Sequence, residues 1–478
     1  MPKVRTPCTC AKIYLISTTT TPSLGPLHSL SFGWPFHNTM SAIHFRAPTV
    51  RKLIGVAVLA TGVLALYSYS TGTPLRFTSF QTPWSQKTCT PQAYSDGTWV
   101  YHPRTNATKM TDPKDAHAFS GFEACASSRE YFWHLASDRE DQWDRFPKAQ
   151  SWQWVPGRGC EDMRSLDPAA MVKDMVEDGG WYLVGDSVSE NHFFSLSCIL
   201  YPHVRAEPDW TLGGFDRAWP QYLYLKPDSP MIPYIKFPEG FNISTTPLVK
   251  FRRIDILLSQ EQLIGIHNSI QPSDTVLEDA SLFSDEAVWT MPPSEYLAEF
   301  NAPLPEGNYG TMIVSTAGHW TTNLFAKTSP PGIEGVINLF REAMKHWMDE
   351  VQMALWQSHK LRSAKMGASQ RKRPRVVVRA YLPGHENCHD HRDPWKKIQP
   401  WNNRWFNWAD IWEFNDVFDK LTSDNKKYPD IHYLGIDRPA RLRPDAHASG
   451  DCLHIMSGAG VLEGWSHYIW QYVTRELS

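Results

Sequence analysis

Gly185-Asp186-Ser187 closes a short apolar run, Trp181-Tyr182-Leu183-Val184, and Asp451-Cys452-Leu453-His454 sets an Asp and a His three residues apart far downstream. A serine hydroxyl, an imidazole to take its proton and a carboxylate to orient the imidazole are the parts of nucleophilic acyl chemistry. The apolar run reads as a buried strand. Val188 to Leu200 reads as a helix, with Val188, Phe194, Leu196 and Leu200 available for its inner face. A serine on the sharp turn between the two stands exposed at the carboxyl edge of a sheet. Ser187 is therefore the expected nucleophile, His454 the general base and Asp451 its orienter. Asp186 adjoins the serine, but its side chain should point elsewhere, as a structural cap.

An ester carbonyl attacked by a serine develops an oxyanion that needs fixed N–H donors. The Ser187 amide is the natural first donor. Gly318 and Asn191, the latter one helical turn beyond the serine, are the candidates for the rest. Asp445 and His447 lie close to the DxxH segment and are assigned to loop positioning. His385, Glu386, Cys388, His389, Asp390, His391 and Asp393 crowd one stretch like a metal cluster. Zinc ligands are spaced more regularly, so no metal is expected.

The elements that must position these residues alternate between strand and helix from about residue 165, the pattern of an α/β fold with a parallel sheet. Thr311–Ser315, Arg375–Tyr381 and Ile431–Ile436 read as further strands. Gly335 to Leu361, Trp408 to Leu421 and Val461–Val473 read as helices. Residues 201–300 are rich in proline and aromatics; no order is assigned there beyond an insertion near the site. Residues 89–164 form a cysteine-bearing, loop-rich lobe, and 165–478 the catalytic domain.

The 478 residues carry 21 Trp and a net charge of −3, which favours a sizeable core and gives no electrostatic case for nucleic acid. Leu53 to Tyr69 is an uncharged apolar run preceded by Arg46, Arg51 and Lys52. That asymmetry predicts one signal anchor at 51–70, with a cytosolic tail (1–50), a stem (71–88) and a lumenal catalytic part. A cleaved signal peptide and a buried core helix are the weaker readings. Asn106-Ala107-Thr108 and Asn242-Ile243-Ser244 are glycosylation sequons. Six cysteines follow the anchor, an even number suited to disulfides with 15 conceivable pairings. The basic run Lys360 to Arg375 reads as a solvated loop. Trp395, Trp401, Trp405, Phe406, Trp408 and Trp412 either stack on sugars or build helix core.

GDSVSENHFFSLSCIL resembles the GDS block of trichome-birefringence-like polysaccharide O-acetyltransferases and their fungal PC-esterase relatives. RPDAHAS with DCLH is similar to that family's C-terminal block, VSTAGHW to its Gly-His-Trp segment, and VVVRAYLPGH to its Arg-containing strand. Cys89 with GTWV, Trp152-Gln153-Trp154 and Gly159-Cys160 resemble its N-terminal cysteine lobe. The resemblance spans about residues 89–475. It implies an SGNH-like three-layer sandwich with Ser187, Asp451 and His454 as triad, and acetyl transfer to polysaccharide hydroxyls in the Golgi lumen. It also implies a Cys388–Cys452 disulfide. An acetyl donor enters as co-substrate, with no bound cofactor. His319 and Trp320 then either line the sugar site or pack beneath it. Glu190 stands where plant members carry arginine, and DCLHIMSGAG lacks the plant Trp-Cys-Leu-Pro text. An esterase with the same triad is the alternative activity, and a glycan-binding module with a decayed site is the third.

Overall fold

The computed structural model describes residues 88–271, 282–366, 373–401 and 405–477. They hold nine strands: β1 (Thr98–Tyr101), β2 (Trp152–Val155), β3 (Gly180–Gly185), β4 (Val204–Glu207), β5 (Gln221–Leu225), β6 (Pro247–Arg253), β7 (Tyr309–Ser315), β8 (Arg375–Arg379) and β9 (Ile431–Leu434). β1 and β2 pair antiparallel; the other seven form one sheet in the order β4-β5-β6-β3-β7-β8-β9. β6, β3, β7, β8 and β9 run parallel, and β5 and β4 add antiparallel at one edge. This is an α/β fold with a mostly parallel central sheet, and Ser85–Ser478 forms one compact unit.

A strand covered on both faces reads as a continuous apolar run, and every residue of β3 is buried. Side chains alternate between the faces. Phe251 pairs in register with Leu183 and meets Phe193 of the helix Ser187–Ile199. Tyr182 and Lys250, one residue earlier in each strand, turn to the other face, where both bond Glu299 on the helix Pro293–Phe300. The Trp347 indole joins the helix Ile333–Met366 to that face through the Tyr296 hydroxyl at 2.6 Å. Phe340 of the same helix meets Phe414 and Phe418 of Ile411–Thr422. Across the sheet, His192 and Ser466 tie Ser187–Ile199 to Val461–Gln471 at 2.9 Å. Helices therefore cover both faces. Val188, Phe193, Phe194 and Leu196 are nearly solvent-free, each burial contributing roughly 1.5–3 kcal/mol.

From β3 the chain moves to β6 on one side and then back across to β7 on the other. Such a reversal opens a crevice at the carboxyl ends of the strands, where α/β folds hold ligands. Ser187 follows β3 at that point, and the segments after β6, β7, β8 and β9 crowd around it.

Several elements differ from the sequence expectation for identifiable reasons. Residues 201–300 supply three strands rather than an insertion, and β6 is β3's direct neighbour. Its text, PLVKFRR, hides a core strand because Lys250 is buried against a distant carboxylate, Glu299. The helix expected from Trp408 begins at Ile411, because Phe406 and Asn407 adopt left-handed backbone (φ 51° and 55°). The 89–164 stretch contains the β1–β2 ribbon and is fastened by Cys89–Cys160 and, to the helix Ser187–Ile199, by Cys125–Cys198. The expected cytosolic tail, anchor and stem, and most of the basic run's centre, lie outside the described residues. Among those described, no helix is long and apolar enough to cross a membrane.

Candidate active site

Asp186 caps the helix Ser187–Ile199, its Oδ1 accepting from the Val188 amide at 3.0 Å, while Oδ2 accepts from the Tyr381 hydroxyl at 2.7 Å. The cap contributes about 1 kcal/mol and fixes the helix start. Gly185 allows the turn. A Cβ there would lie 2.3 Å from the Ser189 hydroxyl oxygen and 2.5 Å from the Ser315 carbonyl oxygen. Ser187 thus sits at the positive end of a 13-residue helix, where amides and dipole favour developing negative charge.

His454 Nε2 lies 2.7 Å from Ser187 Oγ, and His454 Nδ1 lies 2.6 Å from Asp451 Oδ2. The other Asp451 oxygen accepts from the Leu453 and His454 amides, both at 2.8 Å. One carboxylate therefore closes its own loop and orients the imidazole. Burial pulls the His454 imidazole down, but the Asp451 hydrogen bond and charge outweigh it and lift His454 above its ordinary value. Burial pushes the Asp451 carboxyl up; the His454 hydrogen bond, its charge and the two amides outweigh this and hold Asp451 below the usual carboxylate range. The serine proton has an acceptor, and the resulting imidazolium has a fixed counter-charge.

A base must be unprotonated to accept a proton, so its raised pKa moves the acid limb of activity upward. We expect kcat/KM to fall as pH drops through the His454 pKa, with the midpoint above about 6.5. In Asp451→Asn the residual activity should have its acid limb at lower pH. A pH–rate profile with an unmoved limb would contradict the assignment of His454 as the base.

The other sequence-assigned residues fall in different places. Asn191 is buried and its amide donates to His134 Nδ1 at 2.9 Å. Gly318 lies against the buried Tyr381: an added Cβ would be 2.1 Å from that hydroxyl oxygen and 3.1 Å from Asp186 Oδ2. Its backbone therefore adjoins the nucleophile turn. His319 Nε2 is 3.8 Å from Asp255 Oδ1, an oxygen that also accepts from Arg253 Nε at 3.1 Å. Trp320 is fully buried, stacks on Phe325 and donates to the Thr316 hydroxyl; it packs beneath the crevice. Asn106 and Asn242 are both exposed.

Cys388 and Cys452 are disulfide-bonded, which places the segment after β8 against the catalytic loop. The His385 amide donates to the Cys452 carbonyl at 2.8 Å in the same contact. With both sulfurs in that bond, the Cys388–His389–Cys452 group offers no thiolate to a metal. Trp395, Trp401 and Trp408 pack around the segment from Gly384 to His391, whereas Trp412 is exposed. Cys452→Ser should lower activity and thermal stability together, by about 2–4 kcal/mol in unfolding free energy. Calorimetry beside a rate assay checks this. Loss of stability with full activity would show that the bond does not hold the imidazole.

Several residues at the site escaped the sequence reading. Trp133 meets the His454 ring edge-on at 5.3 Å, and the His134 carbonyl accepts from the Ser457 amide at 2.8 Å. Burial, with the Arg129 and His454 charges, pushes the His134 imidazole down, so it is neutral and carries its proton on Nε2 when Asn191 donates to Nδ1. Arg145 donates to the His447 carbonyl at 2.7 Å, and Gln142 to the Ser449 carbonyl at 3.0 Å. The N-terminal lobe thus grips the loop that leads to Asp451 and His454. Only the aromatic text YFWH marked this stretch in sequence. Arg129 of the same lobe pairs with buried Glu190 at 2.7 Å. The buried Glu190 carboxylate thus has its counter-charge from the lobe.

No family model matches the chain. Over 126 residues it is 27% identical to Protein trichome birefringence-like 13 of Arabidopsis thaliana, a stretch covering 26% of this chain and 26% of that protein. The match thus spans about a quarter of each, and this distant likeness agrees with the family resemblance of the motifs.

Proposed function

We propose that this protein is an O-acetyltransferase that carries an acetyl group on Ser187 and delivers it to a glycan hydroxyl. The observation that carries the reading is the hydrogen-bonded line from Ser187 through His454 to Asp451 at the crevice of a mostly parallel sheet. The helices on both faces support the SGNH-like sandwich that accompanies it.

In the first half-reaction Ser187 Oγ attacks the acetyl carbonyl of the donor and His454 Nε2 takes the hydroxyl proton. The oxyanion is held by the Ser187 amide, with Gly318 and Asn191 as the further donors. His454 returns its proton to the leaving group. In the second half a glycan hydroxyl gives its proton to His454 and attacks the acetyl carbon, and Ser187 leaves reprotonated. Water in place of the glycan makes the same protein an esterase.

The protein's place in this reading is the Golgi membrane, with a type II anchor at 51–70 and the catalytic part in the lumen. Solvent-accessible sequons and three disulfides support an oxidising compartment. The test is incubation of the purified full chain with an isotopically labelled acetyl ester and a panel of glycans. Label esterified to a glycan is the expected product. Free acetate alone, at equal rates with and without glycan, would replace transferase by esterase.

A further inference from the structure

We infer that the loop between β4 and β5, residues 208–220, is an aromatic platform for the acceptor chain, binding sugar rings adjacent to the one being modified. The inference rests on the transferase reading and locates its acceptor.

The placement follows from strand register. Gln221 at the start of β5 pairs with Phe251, which pairs with Leu183 of β3. Since β5 runs antiparallel to β6, the residues just before Gln221 project beyond the carboxyl edge, on the same side as Ser187. Only β6 intervenes, so the loop stands about 10 Å to the side of the nucleophile. The Gln221 side-chain amide donates to Glu190, in the first turn after Ser187.

The loop is built to hold aromatics outward. Trp210, Phe215 and Trp219 form a ladder with successive ring centroids 5.4 and 5.6 Å apart. Trp219 is 48% exposed and Leu212 79% exposed. Exposed apolar groups on a loop ordinarily collapse or move, yet this one is anchored at three points. The Trp210 amide donates to the Ser128 hydroxyl at 2.9 Å, and that hydroxyl donates to Asp209 at 3.0 Å. Arg252 at the end of β6 donates to the Ala218 carbonyl at 3.1 Å. The Arg129 guanidinium lies over the Trp210 ring at 4.1 Å.

The composition selects the occupant. Asp209, Thr211, Asp216 and Arg217 stand at least partly exposed between the apolar residues, so no continuous patch suits a lipid surface or the dry centre of a protein interface. A pyranose has an apolar C–H face for an aromatic ring and hydroxyls around its rim for the interspersed polar groups. A rigid, alternating surface fits a sugar chain running along the edge of the sheet toward Ser187.

The test measures binding apart from catalysis. Xylohexaose, mannohexaose and galacturonate hexamer are titrated calorimetrically into the full chain carrying Ser187→Ala. We expect at least one to bind, and added Trp219→Ala to weaken it about 5- to 10-fold. Trp219→Phe should restore most of the affinity. Methyl glycosides, too short to span from Ser187 to the loop, should bind alike with and without Trp219. Trp356→Ala, at an exposed tryptophan on the helix Ile333–Met366, should change nothing. Equal affinities with and without the Trp219→Ala substitution, no oligosaccharide binding at all, or a Trp219-dependent affinity for phosphatidylcholine vesicles instead would overturn the platform. Failure of Ser187→Ala to stop ester turnover would strike the catalytic reading and leave this comparison intact.

Discussion

Ser187→Ala and His454→Ala should each lower turnover at least about 10³-fold, and the double variant should lose little more than either single one. The reason is that the two side chains act as one device. Without Ser187 the base has no hydroxyl to deprotonate, and without His454 the hydroxyl stays a weak nucleophile. Neither change removes an interaction the fold needs. Asp451 keeps its bonds to the Leu453 and His454 amides, and Ser187 lies at the solvent side of a helix start capped by Asp186. Circular dichroism and thermal melting should therefore match the parent. Activity within a few fold of the parent in either single variant would remove the triad from the account.

Arg443→Ala should be the most damaging change away from the reacting atoms. Arg443 and Asp445 are both solvent-free, joined by two bonds of 2.9 Å, Nε to Oδ1 and Nη2 to Oδ2. The guanidinium also donates to the Ala459 and Ala149 carbonyls, so one side chain links the catalytic loop's base, the approach to the last helix and the N-terminal lobe. Removing it strands a buried carboxylate and two carbonyls, which costs about 3–5 kcal/mol, a large part of the roughly 5–15 kcal/mol typical of whole proteins. Urea unfolding should show the loss. The paired replacement Arg443→Met with Asp445→Leu should recover much of it, because no charge is then left unpaired. A loss below about 1 kcal/mol for Arg443→Ala would show that the pair is solvated in solution.

The nucleophile end of the site was legible because local signals carried it. An apolar run, Gly-Asp-Ser and a helix-period pattern follow one another directly in the chain, and the geometry they dictate does not depend on distant partners. The base was legible as a motif, but what holds it was not. Arg145 reaches the His447 carbonyl across 302 positions, and Trp133 meets His454 across a comparable span. Such contacts leave no spacing to read. β6 was hidden for a related reason: Lys250 contradicts a core strand until Glu299, 49 residues on, supplies its counter-charge. Trp320 shows the converse difficulty. Its neighbours Gly318 and His319 border the crevice, but its own side chain turns into the core against Phe325 and Phe340. The direction of one side chain along a turn follows from tertiary packing, which the order of residues alone does not reveal.

The central claim is that Ser187 carries the acyl group, and the direct measurement is mass spectrometry of the acid-quenched full chain after brief mixing with an acetyl ester and no glycan. The account predicts one acetyl group on the peptide containing Gly185-Asp186-Ser187, localised to Ser187 and discharged when glycan is added before the quench. The same peptide unmodified while product forms at an undiminished rate, or acetyl found on another residue that exchanges at the turnover rate, would contradict it.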